Sequence, residues 1–325
     1  MTSNILIAGS GNIGSRHLEG LTKVKIPINI TIYDINKKVF RSSKKLIKNL
    51  IKEKYIKNIF FTDNIKDLGS YYDIAIIATN SKCRKKVINE LYYKTNIKNI
   101  IIEKVAFQNL VDFKYILNLF KKNDSNSWVN CPRRMLFLYK NIKKKMIKQK
   151  NITIIIDGCN WGMACNAIHF IDLLSFITGK KNISINTSKL EKKIYKSKRK
   201  GFIEINGQMI IKSEGHKLIL NENLLKNKTP IITIKNKNYF YEIHENNNHY
   251  YFANKKNNWK RKKYKYRHYF QSELTNILVE QIIKNKKCDL IDFVNSSILH
   301  KKLIQSLNKF LNNVTGKKYI NCPIT

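Results

Sequence analysis

The stretch that most limits what this chain can become is its opening, "NILIAGSGNIGSRHLEGL", residues 4–21. A short apolar run of strand character ends in glycines at positions 9, 11 and 14, and a helical pattern begins within the same few residues. Glycines so spaced between a strand and a helix each have a physical use. Gly9 suits a tight turn, Gly11 lets a ligand come up to bare backbone, and Gly14 lets the helix pack closely on the strand. The exposed start of the helix then presents N–H groups and the positive end of its dipole to an anion such as a phosphate.

The pattern continues in a way that agrees with this start. Nearly continuous apolar runs at 4–10, 28–34, 58–63, 73–79 and 99–105 alternate with helical stretches, as expected when a parallel sheet is covered on both faces. A doubly wound, Rossmann-type α/β domain over 1–125 is the expected fold, with a dinucleotide at the glycine turn. The acidic residue expected about 20 positions further on, at the end of the second strand, is Asp34. Its carboxylate suits ribose hydroxyls and repels a 2′-phosphate, which favours NAD. Lys37 and Lys38 weaken that preference and keep NADP as the alternative.

Past residue 125 the pattern changes. Strand-like runs at 152–158, 202–212, 216–220, 230–235 and 239–244 are punctuated by Gly and Asn, which fits a mostly antiparallel sheet. Long helices near 269–286 and 293–313 close the chain and are expected to pack across that sheet or onto the first domain. A second, α+β domain over 126–325 follows, with the substrate bound there. No apolar run approaches the roughly 18 residues needed to cross a bilayer, and the chain starts directly with a strand rather than a leader. A soluble cytoplasmic protein is expected. Cysteines 83, 131, 159, 165, 288 and 322 are scattered, without a CxxC pair or zinc spacing, so free thiols are expected and no metal.

The formal charge of +40 ordinarily points to nucleic acid. Here Lys, Asn and Ile dominate even in plain strands and helices, as an A/T-rich coding sequence would produce, so most of the charge carries no functional meaning. Two segments are denser: "EKKIYKSKRK" at 191–200, and "KKNNWKRKKYKYRHYF" at 255–270, where aromatics interleave with cations. Solvated strands and loops are the expected reading of both, and nucleic acid is not expected as a partner.

The unexpected polar groups lie in "NWGMACNAIHFIDLL", residues 160–174. The helix expected over 165–177 is apolar on all sides except for His169 and Asp172, which share one face. Burying either without a partner costs on the order of a few kcal/mol, so they bond each other, bond the backbone, or line a wet pocket. From these residues alone a satisfied core pair and a functional site both stay open.

Taken in order, the motifs resemble the Gfo/Idh/MocA family, named for glucose-fructose oxidoreductase, inositol dehydrogenase and a rhizopine catabolism protein. They are the glycine turn followed by "SRHLEGL", "IAT-N-S" at 77–81, "IIEKVAF" at 101–107, the His-x-x-Asp helix, and the tail "KCDLIDFVNSSILHKKLIQSL" at 287–307. The resemblance spans nearly the whole chain. It implies an NAD(P)-dependent oxidoreductase acting on a secondary alcohol of a sugar, cyclitol or nucleotide-activated sugar, and a homo-oligomer. The cofactor would lie on Gly9, Gly11, Asn12, Ile13, Gly14, Asp34, Thr79, Asn80 and Glu103. Lys104 matches the lysine between nicotinamide and substrate, and His169 matches the catalytic histidine, with Asp172 beside it. Arg134, Trp161 and Asn166 would face the substrate, with Arg133 as the alternative arginine. Val105 stands where the family usually has proline, and Cys165 where it often has aspartate. These departures keep a second reading open, a dinucleotide-binding or redox-sensing protein without catalysis. The residues themselves suit the chemistry: imidazole titrates near operating pH and takes a hydroxyl proton, and a lysine ammonium stabilises an alkoxide.

Overall fold

The apolar runs of the first third become strands buried on both faces. Ile5–Ala8, Ile74–Ile77 and Ile100–Ile102 lie almost wholly out of solvent, because helices cover the sheet on either side. The computed structural model describes residues 2–50, 54–223 and 229–325. Two compact units divide these residues. The first comprises Met1–Phe107, Val111–Pro132 and Tyr269–Val294; the second comprises Gln108–Leu110, Arg133–His268 and Asn295–Thr325.

In the first unit the elements run β1 (Ser3–Ala8), α1 (Asn12–Leu21), β2 (Ile28–Tyr33), α2 (Phe40–Leu50), β3 (Ile56–Thr62), β4 (Tyr71–Ile77), α3 (Arg84–Lys94), β5 (Asn96–Ile102), α4 (Leu110–Lys122) and β6 (Asn126–Val129). Its sheet has the order β3-β2-β1-β4-β5-β6 with all these neighbours parallel, the expected Rossmann arrangement. The strand order reverses direction at β1, and the glycine turn leaves β1 at that point.

In the second unit follow α5 (Phe137–Met146), β7 (Thr153–Gly158), α6 (Met163–Thr178), β8 (Ser184–Leu190), β9 (Tyr195–Lys196), β10 (Ile203–Glu204), β11 (Gly207–Ser213), β12 (His216–Glu222), β13 (Ile231–Lys235), β14 (Tyr239–His244), β15 (His249–Asn254) and β16 (Lys262–Lys265). Eight of these strands form one sheet, β16-β15-β14-β13-β7-β12-β11-β8, antiparallel except for the β7–β12 pair. The run expected over 202–212 is two strands, since Gly207 at φ +100 turns the chain between β10 and β11. The second basic segment contains β16, whose residues are all exposed.

The chain then returns to the first unit through α7 (Gln271–Asn285) and β17 (Ile291–Asp292), which pairs antiparallel with β6. Helix α7 packs on α1. The last helix, α8 (Phe293–Thr315), starts in the first unit, where Phe293 joins Phe107, Phe113 and Phe120 in one aromatic cluster. From Asn295 onward it belongs to the second unit. Among the described residues no helix is long and apolar enough to cross a membrane.

Candidate functional site

The glycine turn has the geometry its spacing implies. Gly9 has φ +101, and a Cβ there would press on the backbone of Ala78 and Thr79 at 2.9 and 2.8 Å. A Cβ on Gly14 would collide with the carbonyl of Gly9. At Gly11 the outcome is opposite: a Cβ would meet nothing within 4 Å, so the turn is open at the position where backbone is left bare. Gly11 is the N-cap of α1 and supplies no side-chain acceptor, which leaves the first helical N–H groups to other partners. Asn12 is exposed and Ile13 half-buried at that start.

Asp34, just past β2, fastens this turn. One carboxylate oxygen accepts the N–H of Ser10 at 2.7 Å and the other that of Asn36 at 2.9 Å. Ser10 Oγ also bonds Ser43 Oγ of α2 at 2.7 Å. Each Asp34 oxygen retains a lone pair for a hydroxyl donor. Beside it, a cleft of about 730 Å³ is lined by Lys37, Arg41, Lys44, Lys45 and Lys48 with Phe40, Phe61 and Asp63, a strongly cationic surrounding. Across the turn, the hydroxyl of Thr79 is buried with no partner among the described residues, and Asn80 uses its side-chain oxygen on the N–H groups of Lys82 and Cys83. Open space at Gly11, uncapped helix N–H groups and an orphaned hydroxyl are together what a phosphate-bearing dinucleotide would satisfy.

The loop after β5 is buried from Ile101 to Gln108 except at Lys104. Its peptide bond Lys104–Val105 is cis. Arg84, which sequence reasoning passed over, holds this loop. Its buried guanidinium donates to the carbonyls of Glu103 at 2.6 Å and Ala106 at 3.0 Å, and also to those of Val105 and Thr79. Glu103 faces inward. It accepts from His17 Nε2 at 2.9 Å and from Asn130, while His17 Nδ1 lies 3.0 Å from Thr275 Oγ1 of α7. Burial alone would raise the Glu103 carboxyl, but the bonds and charges of His17, Asn130 and Lys104 outweigh it and hold the pKa below the ordinary value. The first unit thus builds a rigid frame from which one lysine emerges.

The second unit does the same with α6. Of its sixteen residues all are buried except Asn166 and His169, which are neighbours at i and i+3. Asn166 donates to the Trp161 carbonyl at 2.7 Å. Asp172, 1% exposed, accepts Arg134 Nε on both oxygens at 2.8 and 2.7 Å. Burial raises its pKa despite Arg134. Arg133 is bonded elsewhere, bidentate to Glu245 at 3.0 and 2.6 Å, with Tyr139 donating to the same carboxylate at 2.6 Å. Of the two arginines, then, Arg134 bonds Asp172 on the α6 helix and Arg133 bonds Glu245. Trp161 packs edge-on against Phe170, and its ring N–H is given to the Asn221 carbonyl at 2.9 Å.

The start of α6 holds a feature that the sequence reading missed. Gly162 precedes the helix in a left-handed conformation and gives no side-chain cap. Glu222 of β12 and Glu204 of β10 replace it. Glu222 accepts the N–H groups of Trp161 and Met163, both at 3.2 Å, and Glu204 that of Ala164 at 2.9 Å. Burial, outweighing those bonds and joined by the Glu204 charge, pushes the Glu222 carboxyl up to about 7.

No family model matches the chain, and no curated protein matches its sequence. Solved structures do. The chain is similar to UDP-N-acetylglucosamine 3-dehydrogenase GnnA from Acidithiobacillus ferrooxidans, at 10% identity and TM-score 0.70, over 94% of this chain and 97% of that one. It is similar to an oxidoreductase from Agrobacterium radiobacter, solved with NAD+, L-tartaric acid and magnesium, at 12% identity and TM-score 0.72, over 96% and 97%. A super-repressor mutant of Gal80p from Saccharomyces cerevisiae is similar too, at 14% identity and TM-score 0.70, over 95% and 96%. The chain has the fold of these proteins from end to end, and the resemblance to Gfo/Idh/MocA-type dehydrogenases holds at that level.

Proposed function

We propose that this protein is an NAD(P)-dependent oxidoreductase that interconverts a secondary alcohol and a ketone on a sugar, cyclitol or nucleotide-activated sugar. The observation that carries the reading is the break in burial on α6: in a helix buried everywhere else, Asn166 and His169 are only half-buried. The loop of Lys104 repeats the pattern. Folding gains nothing from either, since a fully apolar helix and loop would bury more completely.

A nicotinamide cofactor, when bound, accepts or gives the hydride. Gly9, Gly11 and Gly14 with the start of α1 would hold its phosphates, Asp34 its ribose, and Thr79 the group that satisfies its hydroxyl. The imidazole of His169 takes the hydroxyl proton as hydride leaves the same carbon. The Lys104 ammonium stabilises the negative charge that develops on oxygen. Asp172 acts through Arg134 and the helix face rather than as a free base, because both of its oxygens are engaged. NADP remains the alternative cofactor, supported by the cations of the cleft beside Asp34.

Incubating the purified protein with NAD and a panel of polyols and nucleotide sugars, and following NADH absorbance, tests the reading. Lys104→Met and His169→Ala are each expected to lower kcat by roughly 100-fold or more while leaving NADH affinity nearly intact. Full activity of His169→Ala on the identified substrate would remove the histidine from the chemistry. The second reading, dinucleotide binding without turnover, is supported by the likeness to the Gal80p mutant and by Cys165 at the position where the family often has aspartate. NADH binding with no turnover on any substrate of the panel would favour it.

A further inference from the structure

Two cations of the second unit share one aromatic ring. The guanidinium carbon of Arg134 lies 5.1 Å from the ring centre of Phe176, and Lys143 Nζ of α5 lies 4.3 Å from the same centre. Phe176 is on the functional face of α6, since His169, Asp172 and Phe176 stand at i, i+3 and i+7. Among the described residues the only carboxylate bonded to either cation is Asp172, which takes Nε of Arg134 on both oxygens. Among the described residues, Nη1 and Nη2 of Arg134 make no hydrogen bond, and Lys143 Nζ makes neither a hydrogen bond nor an ion pair.

This arrangement is unbalanced in charge and in hydrogen bonding. Two positive charges meet one carboxylate, and four guanidinium N–H groups in a fixed fork remain without a protein acceptor. Burial and then the nearby Arg134 charge hold the Lys143 pKa below its ordinary value, as repulsion between unneutralised cations requires. A neutral polyol would fill the donors but leave the charge. An oxyanion satisfies both, and the planar fork matches its two oxygens. Asp172 and Phe176 are one and two turns from His169, about 5 and 10 Å along the axis at 1.5 Å per residue. That is the length scale of a short polyol chain.

We propose that the substrate of this site carries an oxyanion, a carboxylate or a phosphate, a few bonds from the reacting hydroxyl, and that Arg134 and Lys143 bind it. The inference rests on the proposed function for the role of His169 and adds the substrate's charge and the residues that select it. Lys143 has no hydrogen-bond or ion-pair partner to lose among the described residues, only its contact with the Phe176 ring, so its substitution reads chiefly the anion.

Calorimetric titration of the full chain, with and without NADH, tests this on three six-carbon probes: D-glucitol, D-glucitol 6-phosphate and D-gluconate. At least one anionic probe is expected to bind about tenfold or more tighter than glucitol, the scale of one charge-assisted bond. Binding of gluconate alone identifies the group as a carboxylate, and binding of the 6-phosphate alone identifies a phosphate; either supports the proposal. Lys143→Gln is expected to remove most of the preference while Lys144→Gln, an exposed neighbour on α5, preserves it. Arg134→Lys, which keeps the charge but loses the fork, is expected to weaken the anion as well. Glucitol bound as tightly as both anions, no binding of either anion, or equal losses in the Lys143 and Lys144 variants would each overturn the proposal. The titration needs no turnover, so its failure is separable from a failure of the oxidoreductase reading, which is decided by NADH binding and hydride transfer.

Discussion

Glu222→Gln is expected to change the sign of its effect on stability between acid and alkaline pH. Glu222 is 3% exposed and serves as an acceptor for N–H groups at the start of α6, yet burial pushes its carboxyl from 4.5 up to about 7. Between those values the unfolded chain has released the proton while the folded chain still holds it, so stability falls as pH rises through that window. At 1.36 kcal/mol per pH unit the ionised form costs the fold about 3 kcal/mol once pH exceeds 7. Glutamine removes that loss but brings an amide NH2 against a backbone donor, forfeiting about 1 kcal/mol at every pH. The variant should therefore be about 1 kcal/mol less stable than the parent at pH 4, nearly equal to it at pH 5, and about 2 kcal/mol more stable at pH 8. Urea unfolding is the assay, followed by Trp161 fluorescence in a Trp128→Phe, Trp259→Phe background, since Trp161 donates its N–H to Glu222. Equal destabilisation at pH 4 and pH 8 would refute the reasoning: the N–H groups would then be holding Glu222 ionised throughout.

Gly14→Ala should cost roughly 1–3 kcal/mol of stability, because its methyl group meets the Gly9 carbonyl, whereas Gly11→Ala should alter stability by less than about 0.5 kcal/mol and still weaken NADH, since its methyl occupies open space at the turn; thermal melts and NADH titrations of the pair separate the two roles. Asp34→Ala should narrow the gap between NADH and NADPH affinity and lower stability by about 1–2 kcal/mol through the lost acceptors of the Ser10 and Asn36 N–H groups. Equal affinity of the parent protein for both cofactors would show that the cations of the neighbouring cleft override the carboxylate. Arg84→Lys should lower kcat more than it raises KM, because one ammonium cannot reach the four carbonyls that fix the Lys104 loop; a change in KM alone would show that Lys104 is positioned without Arg84.

Much of the fold was readable because its strands are long, apolar and regularly spaced. β1, β4 and β5 are buried on both faces and announce themselves as isoleucine runs. β8, "SINTSKL", and β16, "KKYK", escaped because their residues are largely exposed, so burial imposes little pattern on them. Lys104 and His169, half-buried in otherwise buried segments, were legible as motifs, but the groups that fix their surroundings were not. Glu222 and Glu204 act across sequence separations of about sixty and forty residues on a helix they do not belong to, and nothing local in "LNENL" or "GFIEI" signals a cap. Glu103 illustrates the converse. Its motif implies a place at the cofactor, and no local signal tells that its carboxylate also bonds His17 and Asn130, so that the "RH" of the first helix and the "EK" of the later loop are two halves of one buried bond.

The cations carry a related lesson about which positions hold meaning in a biased chain. Of 62 basic residues only eight are arginine, the rest being lysines that the composition supplies everywhere. Yet where a cation is held inside, it is arginine. Arg84 is spent on loop carbonyls, Arg133 on Glu245, to which Tyr139 also donates, and Arg134 on Asp172. The reason is physical. A guanidinium spreads its charge over a planar fork, is less strongly hydrated than an ammonium, and donates in several fixed directions, so it survives desolvation where a point charge does not. Lys143 is half-buried on Phe176 beside Arg134, and no anion among the described residues neutralises it. A lysine kept in that position costs the fold stability unless something outside the chain completes it.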